Sequence, residues 1–223
     1  MKKIDWKFSE ELVDYDLALD FMNQRVEQII NHKANSLIWV LEHPEIYTAG
    51  ISAKSEDILD IEKQKIYYTN RGGKYTYHAP GMKIIYVMLD LKELFAPDRP
   101  DVAKFVNFLE NWIIDVLKHY QIAGNIREDR VGIWVETKKG DLSSDKKISA
   151  IGIKLKKWVS YHGIAVNINC DLDGFKRIIP CGIKNFGVTS LQDLKVEIKE
   201  NFSKIFHQNL QNEFQKNIIK LTK

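Results

Sequence analysis

The chain has 223 residues, enough for one sizeable hydrophobic core. Its 33 basic and 30 acidic residues leave a net charge of +3, which gives no argument for nucleic acid as a partner. Two cysteines exclude a disulfide framework, and no run approaches the roughly 18 apolar residues of a membrane span. No apolar run follows the basic start as in a signal peptide, so the expectation is a cytoplasmic protein without a membrane partner.

Residues 14–31 carry apolar side chains at Ala18, Phe21, Met22, Val26 and Ile29, which predicts a helix capped by Asp14. Residues 36–41 form a short apolar run that reads as a buried strand, broken by His43-Pro44-Glu45. Residues 67–70 and 75–77 have strand composition on either side of Arg71-Gly72-Gly73. Ala79-Pro80-Gly81 turns the chain before a strand over 84–89. The clearest helix is 101–120, with one stripe from Val102 through Phe105, Leu109, Ile113 and Val116 to Tyr120. Strands follow over 132–136, 147–155 and 163–169, with a polar loop over 137–145. Ile198, Phe202, Ile205, Phe206 and Leu210 predict a last helix within 196–214. The mixed order of elements predicts one α+β domain over 1–223, its sheet mixed or mostly antiparallel and flanked by helices.

Four features carry chemistry. Cys181 stands between Pro180 and Gly182, a setting that favours a stiff turn over a strand or helix interior. A thiolate held there is a strong nucleophile, although a free cysteine is more often a small buried hydrophobe. Lys147 opens an otherwise apolar or small run, Ile148-Ser149-Ala150-Ile151-Gly152. Partial desolvation there disfavours the ammonium and makes the amine a usable base, whereas an ordinary lysine ends a loop in water. The run Arg71-Gly72-Gly73-Lys74-Tyr75-Thr76-Tyr77-His78 lets backbone approach a ligand closely, yet fails as a phosphate-binding loop because Tyr75 replaces the required Ser or Thr. Among six histidines, no His-x-x-x-His or Cys-x-x-Cys spacing supports a metal, while His78 or His162 remains open as a base for a Cys–His pair.

Several runs together resemble the lipoyl(octanoyl)transferases. They are His43 to Gly50, Arg71 to His78 with Pro80-Gly81, Lys147 to Gly152, His162-Gly163-Ile164-Ala165-Val166-Asn167, and Pro180-Cys181-Gly182-Ile183 followed by Gly187 to Leu191. The resemblance spans about residues 40–191 in the family's order. It implies a biotin- and lipoyl-ligase-like fold, related to class II synthetases. It implies transfer of an octanoyl group from acyl carrier protein to a lysine of a lipoyl domain, without a cofactor. The implied acceptors are the lipoyl domains of 2-oxoacid dehydrogenase complexes and glycine-cleavage H protein. It implies Cys181 as the acyl-accepting nucleophile, with Lys147 as its partner in proton transfer. It implies an acyl site lined by Arg71, Gly72, Gly73, Lys74, Tyr75, Thr76, Tyr77 and His78, by Ala150, Ile151 and Gly152, and by Gly163, Ile164 and Ala165.

The chain departs from the family pattern His-Gly-Pro-Gly-Gln at His78-Ala79-Pro80-Gly81-Met82. Ala79 is strained if its backbone requires a positive φ. Two alternatives stand beside the transferase: an ATP-dependent lipoate or biotin ligase that needs no cysteine, and a non-catalytic module that binds lipoyl domains.

Overall fold

Strict alternation in three neighbouring strands divides the molecule into two cores. In β2 (Leu37–Leu41), Leu37, Trp39 and Leu41 point one way, and Ile38 and Val40 the other. In β6 (Met82–Met88), Ile84, Tyr86 and Met88 oppose Ile85 and Val87; in β9 (Val159–Asn167), Ala165 opposes Ile164 and Val166. Both faces are apolar because both are covered. The computed structural model describes residues 3–60, 65–138, 140–179 and 186–221.

The remaining elements follow in chain order: β1 (Asp5–Phe8), α1 (Tyr15–Ile30), β3 (Ile46–Ala49), β4 (Ile66–Tyr68) and β5 (Tyr75–His78). After β6 come α2 (Leu91–Leu94), α3 (Val102–Lys118), β7 (Ile133–Glu136) and β8 (Asp145–Lys156). β9, β10 (Gly187–Val188) and α4 (Phe202–Leu221) complete the chain. The large sheet has the order β1-β2-β6-β9-β8-β10, with β7 on the other edge of β8. Its centre is antiparallel, and β1·β2 and β10·β8 are parallel pairs. A small sheet, β4-β3-β5, stands apart.

One core lies between the large sheet and α2, α3 and α4. There Trp112 is fully buried and its Nε1 donates to Leu210 O at 2.9 Å, tying α3 to α4. Burying a side chain of that class contributes roughly 1.5–3 kcal/mol. The other core lies against α1 and the small sheet: Ala18, Met22, Val26 and Ile29 from α1 belong to one cluster with Tyr47, Tyr75 and Tyr77. Asp14 caps α1 as its sequence predicts, accepting from Asp16 N and Leu17 N at 2.9 and 3.3 Å.

Several predicted boundaries move. The last helix starts at Phe202 and runs to Leu221, while Val196 and Ile198 pack on the core from irregular chain. Strand β9 begins at Val159, not at 163, because Lys157 and Trp158 turn the chain with φ of 50° and 71°. Two consecutive left-handed residues make the hairpin turn, and neither is the usual Gly or Asn. Strands β1, β3 and β10 and the single turn α2 carry too few residues to show a period.

Candidate functional site

The register of β6, β9 and β8 builds a graded groove on the face toward the small sheet. Met82 pairs with Asn167; two residues on, Ile84 pairs with Ala165, which pairs with Ala150; two further, Tyr86 pairs with Gly163, which pairs with Gly152. Each two-residue step advances about 6.8 Å, so the three rungs span roughly 13 Å. Alanine and then glycine on the middle strands leave the space that larger residues would fill. At Gly163 the backbones come so close that an added Cβ would stand 2.0 Å from Ile85 O. Beside it, His162 holds a left-handed φ of 57° inside the strand, a strained conformation of the kind found at ligand sites.

The segment 71–76 roofs this groove. Gly72 N donates to Ile153 O at 3.0 Å, pinning the roof to the far end of β8. Arg71 is buried and its guanidinium holds the roof in shape. Its Nη2 donates to Thr48 O at 2.9 Å, Thr48 Oγ1 at 2.7 Å and Lys74 O at 2.9 Å, and its Nη1 to Gly72 O at 2.9 Å. The enclosed cleft, with its open mouth, measures about 550 Å³. It is lined by Arg71, Gly72, Gly73, Lys74, Tyr75, Thr76 and His78, by Ala150, Ile151 and Gly152, and by Gly163, Ile164 and Ala165. Tyr77 is not on this lining; its ring packs on Tyr47 and Phe175 in the core.

A second, much smaller hollow adjoins the first through shared walls at Thr76, Ala150 and Ala165. Its other walls include Met82, Ser149, Asn167 and Lys147. Lys147 is 6% exposed, donates from Nζ to Val131 O at 3.0 Å and lies 4.7 Å from the centre of the Trp134 ring. Thus a cation stands at one end of an apolar groove. Lys146, next in the chain, points away and pairs with Asp193 at 3.6 Å. Cys181, with the rest of 180–185, lies outside the described residues.

The other end of the groove is closed by Tyr15, Tyr86, His78 and His162. His43 braces it from behind: Nδ1 donates to Val13 O at 2.6 Å, and Nε2 accepts from the Tyr86 hydroxyl at 2.7 Å. Burial lowers the pKa of His43, and Asp14 and the Val13 contact oppose that shift. Burial, with Arg71 and Lys154 nearby, pushes His162 down to about 3. Burial also drives His78 far below the usual histidine range, reinforced by His43, Arg71 and His162. Both are neutral near pH 7 and both are weak bases, which disfavours the Cys–His alternative. Sequence reasoning missed Tyr15, Ile84 and Tyr86 because each looks like ordinary core until the register aligns it.

Ala79 is buried and lies outside the left-handed region, so the conditional strain at this position does not arise. Met82 is fully buried and walls the hollow at Lys147. Among the described residues, no group of three or more His, Cys, Asp or Glu is placed to hold a metal. No helix among them is long and apolar enough to cross a membrane.

The profile of the lipoyl protein ligase A/B catalytic domain matches residues 14–215. The chain belongs to this family. An octanoyltransferase from Wolbachia pipientis wMel is 47% identical over 212 residues, covering 91% of this chain and 99% of the relative. One from Bartonella tribocorum is 45% identical over 217 residues, covering 91% and 87%. The family's architecture also appears in more distant structures. A bi-partite lipoate protein ligase from Thermoplasma acidophilum superposes with a TM-score of 0.67 at 14% identity, covering 97% of this chain and 84% of that one. The biotin protein ligase of Aquifex aeolicus gives 0.53 at 13%, covering 100% and 72%. At such identity these two likenesses concern the fold alone.

Proposed function

We propose that this chain is an octanoyltransferase that carries the acyl group on Cys181 and moves it from acyl carrier protein to a lysine of a lipoyl domain. The observation that carries the reading is the apolar groove with Lys147 at one end. Close relatives named octanoyltransferase support the same reaction. The proposed acceptors are the lipoyl domains of 2-oxoacid dehydrogenase complexes and glycine-cleavage H protein, and the proposed location is the cytoplasm.

The chemistry balances with two protein groups. The resting pair is a Cys181 thiolate facing a Lys147 ammonium, a state an adjacent cation favours. The thiolate attacks the carrier thioester; the new carbon–sulfur bond forms, the old one breaks, and the carrier thiolate takes the proton from Lys147. Lys147 is then neutral. The acceptor amine attacks the acyl-enzyme, its proton passes to Lys147, and Cys181 leaves as thiolate, restoring the resting pair. The octanoyl tail lies in the groove over Ala150 and Ala165, each buried methylene contributing roughly 0.8 kcal/mol. Neutral His78 and His162 add no charge to their end of the groove.

The test is a two-protein assay with octanoyl-carrier protein and a lipoyl domain, read by the mass of the acceptor. Transfer without ATP supports the reading. Transfer only from free octanoate with ATP would replace it with the ligase alternative. Binding of the lipoyl domain without transfer would replace it with the non-catalytic one.

A further inference from the structure

Glu110 is a carboxylate in the wrong place for solubility. It sits on α3, on the flank of the helix shared with Ile113 and Leu117 three and seven residues on, and is 4% exposed. Burying such a group is costly unless it is hydrogen-bonded and compensated. Its Oε1 accepts from Gly132 N at 3.0 Å. Gly132 in turn separates Glu110 from the amine: a Cβ there would lie 3.4 Å from Lys147 Cε and Nζ and 2.6 Å from Ser149 O. With φ of 119° as well, the position accepts only glycine. The preceding residue, Val131, supplies the carbonyl that receives the Lys147 Nζ–H. One buried carboxylate therefore fixes the turn that orients Lys147 and places a negative charge behind it.

We infer that Glu110 is the positioning residue for Lys147, holding its amine through the 131–132 turn and stabilising its ammonium form from behind. This rests on the reading of Lys147 as proton carrier. Among the described residues, the other charged side chains near Lys147 have partners of their own. Asp145, at the start of β8, is clasped by Arg127 at 2.7 and 2.9 Å and by Arg130 at 2.7 Å; Arg130 also pairs with Asp129. From β7, Trp134 presents a ring, and Glu136 pairs with Arg127. From β9 and β10, Asn167 and Val188 bring no charge. Burial raises the Glu110 carboxyl, while Gly132 N–H and Lys147 pull it back.

The measurement is the pH dependence of acyl transfer from the isolated octanoyl-enzyme to a lipoyl domain, for wild type, Glu110→Gln and Lys147→Ala. Acylation caps the thiol, so its titration no longer mixes with that of Lys147. Gln keeps the acceptor for Gly132 N–H and removes the charge. We expect the limb that reports neutral Lys147 to move about 1 unit toward lower pH, as loss of a nearby opposite charge dictates. The melting temperature should not fall. A profile superimposable on wild type would overturn the inference. A wild-type rate in Lys147→Ala would instead overturn the reading beneath it. Glu110→Met, apolar and unbranched, carries the same expectation if the amide variant does not fold.

Discussion

Lys147 and Cys181 carry the proposed chemistry, and their neighbours decide what other residues can contribute. Lys147→Ala leaves the walls of the larger cleft intact and removes the proton carrier. We expect normal folding by circular dichroism and transfer slowed about 100-fold or more. A turnover near wild type would transfer the role to another base. Lys146, outward and paired with Asp193, is poorly placed for it. His162 makes a separate prediction about stability. Its folded pKa of about 3 lies below the ordinary value of 6.5. Between those values the unfolded chain binds a proton that the native protein refuses, so stability rises with pH there and is lost as pH falls from about 6.5 toward 3. His162→Asn, which tolerates the left-handed backbone, should flatten that loss in melts run from pH 7 to pH 4. An unchanged slope would contradict the assigned burial.

At the scale of elements, the groove depends on where strands approach and what roofs them. Gly163→Ala places a methyl against Ile85 O, where neither backbone can yield. We expect a loss of about 3 kcal/mol or more by urea denaturation, with strands β6 and β9 forced apart. Ala165→Leu acts differently, because it fills the middle rung without touching the sheet's hydrogen bonds. Its mark should be a shift in donor preference toward chains shorter than octanoyl, read by competition between carrier thioesters. The sequence displays long amphipathic elements well: α1, α3, β2 and β6 follow from their apolar periods and from the Asp14 cap. In the small sheet it shows β5 and most of β4 by their aromatic composition but hides β3, whose four residues follow the His43-Pro44-Glu45 break and gain order from the two strands beside them. It also hides the β8–β9 turn, because Lys157 and Trp158 adopt a conformation normally given to glycine or asparagine.

Across the whole molecule, the sheet is a divider with unlike faces. One face meets α3 and α4 and supplies stability; the other meets α1 and the small sheet and leaves a groove where Ala and Gly replace large side chains. The Arg71 run, Lys147 to Gly152 and His162 to Ala165 are dispersed in sequence, and the register of three strands assembles them. Motif reading could place them in one family, but not orient them. Arg71 illustrates the difference: its guanidinium is spent on Thr48, Gly72 and Lys74, building the roof from within. Glu110 shows the limit most clearly, because a glutamate on an amphipathic helix signals nothing until Gly132 and Lys147 are seen beside it.

The central claim is that the octanoyl group rides on Cys181, and intact-mass spectrometry after mixing with octanoyl-carrier protein tests it most directly. We predict a single octanoyl adduct, released by hydroxylamine, and absent from Cys181→Ala. Cys170 serves as the internal control, since it is buried and its thiol is pushed up to about 12. Absence of any adduct, or an adduct that persists in Cys181→Ala, would contradict the account.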